Sequence, residues 1–417
     1  MPQATTLFAG KAALRQGIFY AVFFTGTGAS LPFMPVWLKA HAMSPAQIGV
    51  ILAVPLLLRA VTGPWSGLWA DRFALFRTPL AVLTAAGAVL YGLMFLAGLL
   101  PSLRFAIYLA LFTIGFTCVT SASPLIDAMT MILARRKDFA YALPRAVGST
   151  FFIFANVALG FVLLRTTSDA ILIWMIAAAA ASAVTAVLVL PPDKRFEAPR
   201  PEVQSSTRDD IDRLKVLLRN PGFLWLVAAT GCLQAAHAFY YAFSTIIWKS
   251  QGLSSATCGY LWAVAVTGEV VFMSLGESFR RRIGPWRLLI LSGVLSVVRW
   301  AALSLSPPLW LLWPVQVLHA FSFAATYLAG LELVRRLAPK GCEGLAQTVS
   351  AAYGSGVMLG IGTVASGAIY EGMGAFGYAV SAVIAAVGLA AAVRLYAGRE
   401  RFLSPTVPAS ADAGSSR

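Results

Sequence analysis

The sequence carries little charge for its length. Asp, Glu, Lys and Arg make up 12% of its 417 residues, whereas 59% are hydrophobic. Soluble domains average about 25% charged residues, and a soluble chain of this size would form two or three domains with polar surfaces. The residues for such surfaces are missing. The composition therefore excludes a soluble enzyme and a disordered chain.

Cysteine and histidine are also scarce. The three histidines show no metal-ligand spacing, and the four cysteines (Cys118, Cys232, Cys258 and Cys342) lie far apart with no paired spacing. No Ser/His/Asp constellation stands out either. We therefore expect no catalytic residues, no metal site and no cofactor. A disulfide-stapled secreted domain is excluded, and a membrane enzyme is disfavoured.

Long apolar runs are what the sequence has instead. A membrane-spanning helix needs about 20 apolar residues. Backbone groups in lipid must bond within their own segment, and these runs are continuous rather than alternating as barrel strands are. The sequence predicts an all-α membrane protein with twelve transmembrane helices in two six-helix bundles. The predicted spans lie at about 17–37, 46–70, 78–99, 105–132, 146–164, 170–190, 222–247, 256–276, 287–305, 309–332, 346–370 and 375–396.

One long polar stretch divides these spans into two sets of six. It begins with prolines and continues into an acidic and basic segment that is compatible with a surface helix. We expect an N-terminal bundle over 1–190, a cytoplasmic linker over 191–220 and a C-terminal bundle over 221–397. Residues 398–417 are rich in Ser, Ala and Pro, and they are expected to form a disordered cytoplasmic tail.

Basic residues concentrate in alternate loops. The triplets at 135–137 and 280–282 are examples, and the intervening loops hold few Lys or Arg. The positive-inside rule then places both termini in the cytoplasm of a multi-pass inner-membrane protein. The net charge of +15 reflects this topology and contact with the anionic inner leaflet, so nucleic acid is not an expected partner.

The two halves resemble each other. Trp37 is followed by Gly49 and then Arg59, and Trp248 is followed at nearly the same spacing by Gly259 and then Glu269. An aromatic-rich span precedes each set. This duplication is typical of transporters that are built from two related bundles.

Ionisable residues inside the apolar runs are the candidate site. A charge at the bilayer centre costs about 2.5–3.5 kcal/mol, so such residues are expected to face a wet cavity or a partner. Asp127 and Arg145 flank the basic turn between spans 4 and 5 at equal distances, about 12 Å up their helices at ~1.5 Å per residue. We expect an ion pair between them, which either is structural or binds substrate. Arg59 in span 2 is a further candidate.

The second half places an acid, an arginine and a histidine on three successive spans. Glu269 lies on span 8, Arg299 on span 9 and His319 on span 10. Histidine titrates near neutral pH, and a buried carboxyl changes its protonation when its charged neighbours change. These three residues are the proton-coupling candidates, although His319 could also be an ordinary core histidine.

Span 7 adds His237 and Tyr241 within an aromatic stretch. Together with Arg59, Asp127 and Arg145 they form the substrate-binding candidates. Packing is the alternative role for such aromatic residues in a helix bundle.

The end of span 2 is a candidate conformational lock. Gly67 follows Gly63 at a spacing that lets helices approach closely, and Asp71 and Arg72 come directly after it. We expect Gly67, Asp71 and Arg72 to act in gating at the inner mouth.

The stretch Gly67-Leu-Trp-Ala-Asp71-Arg72 resembles the signature loop of the major facilitator superfamily. The chain is more closely similar to the phenylpropionate-permease-like group, which is related to the oligosaccharide and nucleoside proton symporters. The matching segments are 31–39, 44–49, 59, 124–128, 141–149, 237–241, 259–262, 269 and 318–320.

This resemblance implies a monomeric twelve-helix transporter that runs on the proton gradient. In the lactose permease branch, an acid and an arginine on spans 4 and 5 lie at the sugar site, and Asp127 and Arg145 occupy matching positions. Glu269, Arg299 and His319 resemble that branch's proton-coupling residues. Ser322 stands where that branch has a further acid.

The resulting hypothesis is proton-coupled uptake of a small organic solute, such as an aromatic carboxylate, by alternating access. The alternatives are a drug or metabolite efflux antiporter and a sugar or nucleoside proton symporter. A non-transporting membrane receptor is disfavoured, because receptors usually carry a sizeable soluble signalling domain that the linker is too short to provide.

Overall fold

The computed structural model describes residues 10–73, 75–192 and 207–403, apart from the side chains of residues 60, 61, 64, 207–211 and 403. The described part of the chain is helical and contains no strand. The first half comprises α1 (Lys11–Ala40), α2 (Pro45–Ala70), α3 (Arg77–Leu93), α4 (Arg104–Lys137), α5 (Ala142–Val162) and α6 (Asp169–Val189). The second half comprises α8 (Pro221–Ala235), α9 (Ala238–Ser250), α10 (Ser255–Leu275), α11 (Glu277–Ser304), α12 (Leu309–Val317), α13 (Thr326–Leu337), α14 (Glu343–Ala351), α15 (Leu359–Met373) and α16 (Tyr378–Ala397).

The helices confirm the predicted all-α membrane protein. Ten described segments are long and apolar enough to cross a membrane. The last of them, Glu343–Ala397, contains two crossings separated by a turn at Gly374, and α2 adds one more. The described residues therefore make twelve crossings, as predicted.

Helix starts reflect the duplication seen in the sequence. Ser44 caps α2 by accepting a hydrogen bond from the backbone N–H of Gln47, whose side chain bonds back to Ser44. Ser254 caps α10 in the same way through the backbone N–H of Thr257. Equivalent turns thus begin the second crossing of each half.

The long helices of the second half are interrupted close to the candidate residues. One crossing breaks between α8 and α9 at His237, and another runs through a π-helical segment, Ala320–Ala325, directly after His319. A second π-helical segment, Ala352–Met358, lies between α14 and α15. Such bulges change the rotation of a helix and are frequent at functional sites.

Each half packs mainly on itself. In the first half α1 packs on α5 and α6, and α3 packs on α4 and α6; in the second half α16 packs on α8 and α11. Contacts between the halves run chiefly through two helix pairs, α2 with α15 and α5 with α10. This arrangement is two six-helix bundles.

The halves meet tightly at the end where α1, α5 and α9 finish and α2, α6 and α10 begin, which we call the closed end. Here glycines bring backbones together: a Cβ on Gly49 would lie 2.8 Å from the carbonyl oxygen of Thr363, and a Cβ on Gly160 would lie 2.7 Å from that of Ser255. Gly259 abuts the carbonyl of Asn156 in the same way. The opposite end carries the basic last turns of α4 and α13, and we call it the basic end.

The linker and tail differ in part from expectation. Thr207–Leu218 form the surface helix α7, and residues 193–206 of the predicted linker lie outside the described residues. The predicted disordered tail begins instead with a short helix, α17 (Arg399–Leu403), because Phe402 packs against Gly222 and Gly398. The rest of the predicted tail, 404–417, lies outside the described residues.

Candidate functional site

The first half contains a cluster of polar side chains around Asp127. One carboxylate oxygen of Asp127, Oδ1, accepts hydrogen bonds from the hydroxyls of Tyr20 at 2.5 Å and Tyr141 at 2.9 Å. The same oxygen lies 3.9 Å from Nε of Arg145. The structure thus brings the two predicted partners together, but two tyrosines hold the carboxylate more closely than the arginine does.

Arg145 keeps a large part of its guanidinium available. Its side chain is 37% exposed, and it lies over the ring of Phe24 at 4.6 Å from the ring centroid. It also donates to the hydroxyl of Ser149 at 3.3 Å. A cation that is stacked on an aromatic face and only loosely paired can receive an anionic group that enters from solvent.

The second half is organised around Arg299, which is fully buried. One terminal nitrogen, Nη1, lies 3.0 Å from Nδ1 of His319 and donates to the hydroxyl of Ser322 at 3.0 Å. The other, Nη2, donates to Oε1 of Gln316 at 3.3 Å. The guanidinium is also flanked by the rings of Tyr240 and Trp300 at 4.6 and 4.3 Å. In the described part of the chain this buried cation has no carboxylate within ion-pair distance.

The chemistry of these donors fixes the protonation of His319. A guanidinium can only donate, so Nδ1 of His319 must accept and the ring proton must sit on Nε2. Nε2 lies 3.8 Å from Oε2 of Glu269. His319 is therefore a neutral ring that presents an N–H to the carboxyl of Glu269.

The same reasoning applies to His237. Its Nδ1 lies 3.0 Å from the carbonyl oxygen of Leu233, which can only accept, so Nδ1 carries the proton. Its Nε2 then accepts from the hydroxyl of Ser322, 3.2 Å away. Both histidines are thus neutral members of one chain of hydrogen bonds that starts at Arg299.

Glu269 is the part of this network that reaches the other half. Its side chain is 21% exposed, whereas that of His319 is 4% exposed. Glu269 lies on α10, which packs against α5, the helix of the opposite bundle that carries Arg145. The ring of Tyr241 lies 5.6 Å from the ring of His237. The two predicted groups of residues therefore face each other between the halves.

The remaining predicted residues lie apart from this site. Arg59 is exposed on α2 and has no hydrogen bond or ion pair to any described residue. Asp71 and Arg72 are exposed at the basic end of α2. No described atom lies within 4 Å of a Cβ position on Gly67, so the close approach expected there is absent, because in this structure the halves meet at the closed end.

Sequence reasoning missed several members of the site. Tyr20 and Tyr141 bind Asp127, and Ser322 links Arg299 to His237. The sequence did contain a signal for Tyr141, which lies four residues before Arg145 and therefore one helical turn from it on the same face. No sequence signal places Tyr20 against a residue on another helix.

A cavity lies within the second half, toward the basic end. Its volume is about 170 Å³, and none of the described residues that line it is charged. Hydroxyl and amide side chains line it together with apolar ones: Thr230, Gln234, Thr326, Gln347 and Ser350.

Comparison with known proteins agrees with this architecture. The model of the MFS_1 like family matches residues 14–379. A probable 3-phenylpropionic acid transporter of Escherichia coli (strain K12) is 29% identical over 377 residues, which cover 88% of this chain and 93% of that protein. A maltose permease of Geobacillus stearothermophilus is 27% identical over 358 residues, which cover 85% of this chain and 86% of the permease.

Solved structures show the same fold at low identity. The nucleoside transporter NupG superimposes with a TM-score of 0.76 at 16% identity, over 93% of this chain and 98% of that one. A D-xylose-proton symporter superimposes with a TM-score of 0.66 at 16% identity, over 92% of this chain and 96% of that one. The predicted two-bundle fold is confirmed.

Proposed function

The chain belongs to the MFS_1 like family of major facilitator transporters, and we propose that it is a proton-coupled symporter that takes up a small aromatic carboxylate. It is a multi-pass membrane protein, and in the proposal it works as a monomer in the inner membrane with both termini in the cytoplasm. The basic end then faces the anionic inner leaflet, as the positive-inside rule requires. The closed end faces outward, so this conformation opens inward.

The substrate carboxylate would bind Arg145. This guanidinium is partly exposed, stacked on Phe24 and only loosely paired with Asp127. Phe24 in the first half and Tyr241 in the second offer aromatic faces to a ring. The similarity to a probable 3-phenylpropionic acid transporter supports this substrate class.

The proton would be carried by Glu269. The observation that carries the proposal is that Glu269, 3.8 Å from His319, lies on α10, which packs against α5, the helix of the opposite bundle that carries Arg145. An ionised Glu269 competes with the substrate carboxylate for the same cation, since both are anions. Protonation of Glu269 removes this competitor, so substrate and proton bind together, and loss of the proton to the cytoplasm favours release of the substrate.

His319, in this proposal, is a positioning residue. Its Nε2 lies 3.8 Å from Oε2 of Glu269, and on closer approach its N–H would donate to the carboxyl in either protonation state, because a carboxyl oxygen accepts in both. Arg299 holds the ring in that orientation and keeps Nδ1 occupied.

The test is uptake of labelled 3-phenylpropionate into proteoliposomes with and without an inward proton gradient. We expect gradient-driven accumulation by the natural chain. Glu269→Gln mimics the protonated carboxyl, so it should keep substrate exchange and lose accumulation. Glu332→Gln, at a half-exposed acid of the basic end, is the matched control and should accumulate normally. Accumulation without a gradient, or undiminished accumulation by Glu269→Gln, would contradict the proposal.

A neutral sugar is the second candidate. The uncharged, hydroxyl-lined cavity of the second half favours it, as does the similarity to a maltose permease. Competition between labelled 3-phenylpropionate and unlabelled maltose separates the two substrates. Arg145→Gln should abolish uptake of the acid but leave uptake of a neutral sugar in place.

A further inference from the structure

A separate cavity lies at the basic end of the first half, away from the transport site. It is bounded by the start of α1, the end of α4 and the residues that follow α6, and its volume is about 340 Å³. Lys11, Arg15, Gln16, Leu133, Lys137 and Pro191 line it.

The charge of this cavity is of one sign. Lys11, Arg15 and Lys137 contribute three cations, and none of the described residues that line it is acidic. Within the described residues, none of the three cations has a hydrogen bond or ion pair, and all three side chains are exposed. Three cations without a partner among the described residues favour an anionic ligand at this cavity.

Gln16 is a second and independent indication of a ligand. Its side chain is fully buried, and its Oε1 accepts a hydrogen bond from the hydroxyl of Thr130 at 3.0 Å. Its Nε2 has no partner in the described part of the protein. A buried donor without an acceptor costs about 1–3 kcal/mol, so an acceptor at this position would be stabilising.

The start of α1 adds further donors. Gly10 precedes this 30-residue helix without a side-chain cap, and Gly10, Lys11 and Ala12 line the same cavity. The N-terminus of a long helix attracts anions through its first backbone N–H groups and through the helix dipole.

We propose that this cavity binds the phosphate of an anionic phospholipid headgroup. The cavity lies at the end of the membrane helices, where headgroups are found, and Leu133 and Pro191 give it an apolar wall on which the glycerol and upper acyl chain can pack. Basic pockets of this kind between membrane helices bind anionic lipids at the cytoplasmic face.

The bound lipid would also steady the transport site. Gln16 bonds to α4 through Thr130, and it lies one turn before Tyr20, which donates to Asp127. A phosphate on Gln16 therefore ties α1 to α4 one helical turn below the Asp127 cluster.

Native mass spectrometry of the full chain in detergent with added phosphatidylglycerol tests the site. We expect one tightly retained lipid, with phosphatidylethanolamine retained at least tenfold more weakly. Arg15→Gln/Lys137→Gln should weaken retention of phosphatidylglycerol about thirtyfold, which corresponds to ~1 kcal/mol for each cation. Arg135→Gln/Arg136→Gln removes the same charge from neighbouring positions that do not line the cavity, and it should retain the lipid.

Gln16→Glu tests the buried donor directly. It keeps the acceptor for Thr130 and replaces the free Nε2 with an oxygen that repels phosphate, so retention should again fall at least tenfold. Equal retention by the two double variants would overturn the proposal. Displacement of the lipid by inorganic phosphate at equal concentration would assign the site to a soluble anion and would also overturn it.

Discussion

The two halves of this transporter hold an arginine of the candidate site in opposite ways. In the first half Arg145 is 37% exposed and loosely paired with Asp127 at 3.9 Å. In the second half Arg299 is fully buried, and neutral acceptors on His319, Ser322 and Gln316 hold it. The two bundles thus differ, since one presents an accessible cation and the other a fixed one.

This difference indicates separate roles for the two arginines. A cation that must bind and release an anion needs hydrogen-bond donors that other protein groups do not occupy, and Arg145 is only loosely paired. A cation that orients other groups must not exchange partners with solvent, and Arg299 is shielded from it. Glu269 lies between the two, because its carboxyl is 3.8 Å from His319 of the fixed network and its helix, α10, packs against α5, which carries Arg145.

The largest effect is expected on stability, from a change at Arg299, the buried arginine of the second half. Arg299→Met removes the donor from three buried acceptors, and the free energy of unfolding should fall by on the order of 3 kcal/mol. Arg145→Met should change it by no more than about 0.5 kcal/mol, because that side chain is partly solvated. Thermal unfolding in detergent measures both. Equal losses in the two variants would show that the division drawn here is wrong.

The next largest effect is expected on substrate binding, from a change at Arg145, the accessible arginine of the first half. Arg145→Gln should weaken binding of the aromatic carboxylate ten- to a hundredfold, since a charge-assisted hydrogen bond contributes about 1.5–3 kcal/mol. Arg145→Lys keeps the charge and should lose less. Binding is measured by isothermal titration, with Arg165→Gln near the closed end as the control. Unchanged affinity in Arg145→Gln would remove Arg145 from the substrate site.

The smallest effect is expected at Tyr141, which tests why Arg145 is only loosely paired with Asp127. Tyr141→Phe removes one of the two hydroxyls that hold Asp127, so the carboxylate should pair more closely with Arg145 and compete with substrate. We expect about fivefold weaker binding, as one hydrogen bond contributes about 1 kcal/mol. Tyr260→Phe, at an exposed tyrosine of α10, is the control. Tighter binding by Tyr141→Phe would mean that the tyrosines do not keep Asp127 away from Arg145.

The pairing of Asp127 with Arg145 was accessible to sequence reasoning because it depends only on distance along two helices from a shared turn. Such arguments use the rise of a helix, which is constant. They succeed wherever two neighbouring crossings are joined by a short turn.

Contacts that depend on the rotation of a helix were not accessible. The partners Tyr20 and Ser322 face the site from helices that are apolar on all sides, and periodicity gives no facing direction for such helices. The π-helical segment after His319 shifts the rotation further. The expected close approach at Gly67 failed for another reason, since the motif is at the end of the molecule where the halves do not meet in this conformation.

The glycine contacts of the closed end have a practical consequence. The seal between the bundles at Gly49, Gly160 and Gly259 consists of backbone against backbone, with no room for even a methyl group. An alanine at any one of them works as a wedge, which props this mouth ajar while the rest of both bundles keeps its packing. A single small substitution therefore offers a way to trap the opposite state of the transport cycle for study.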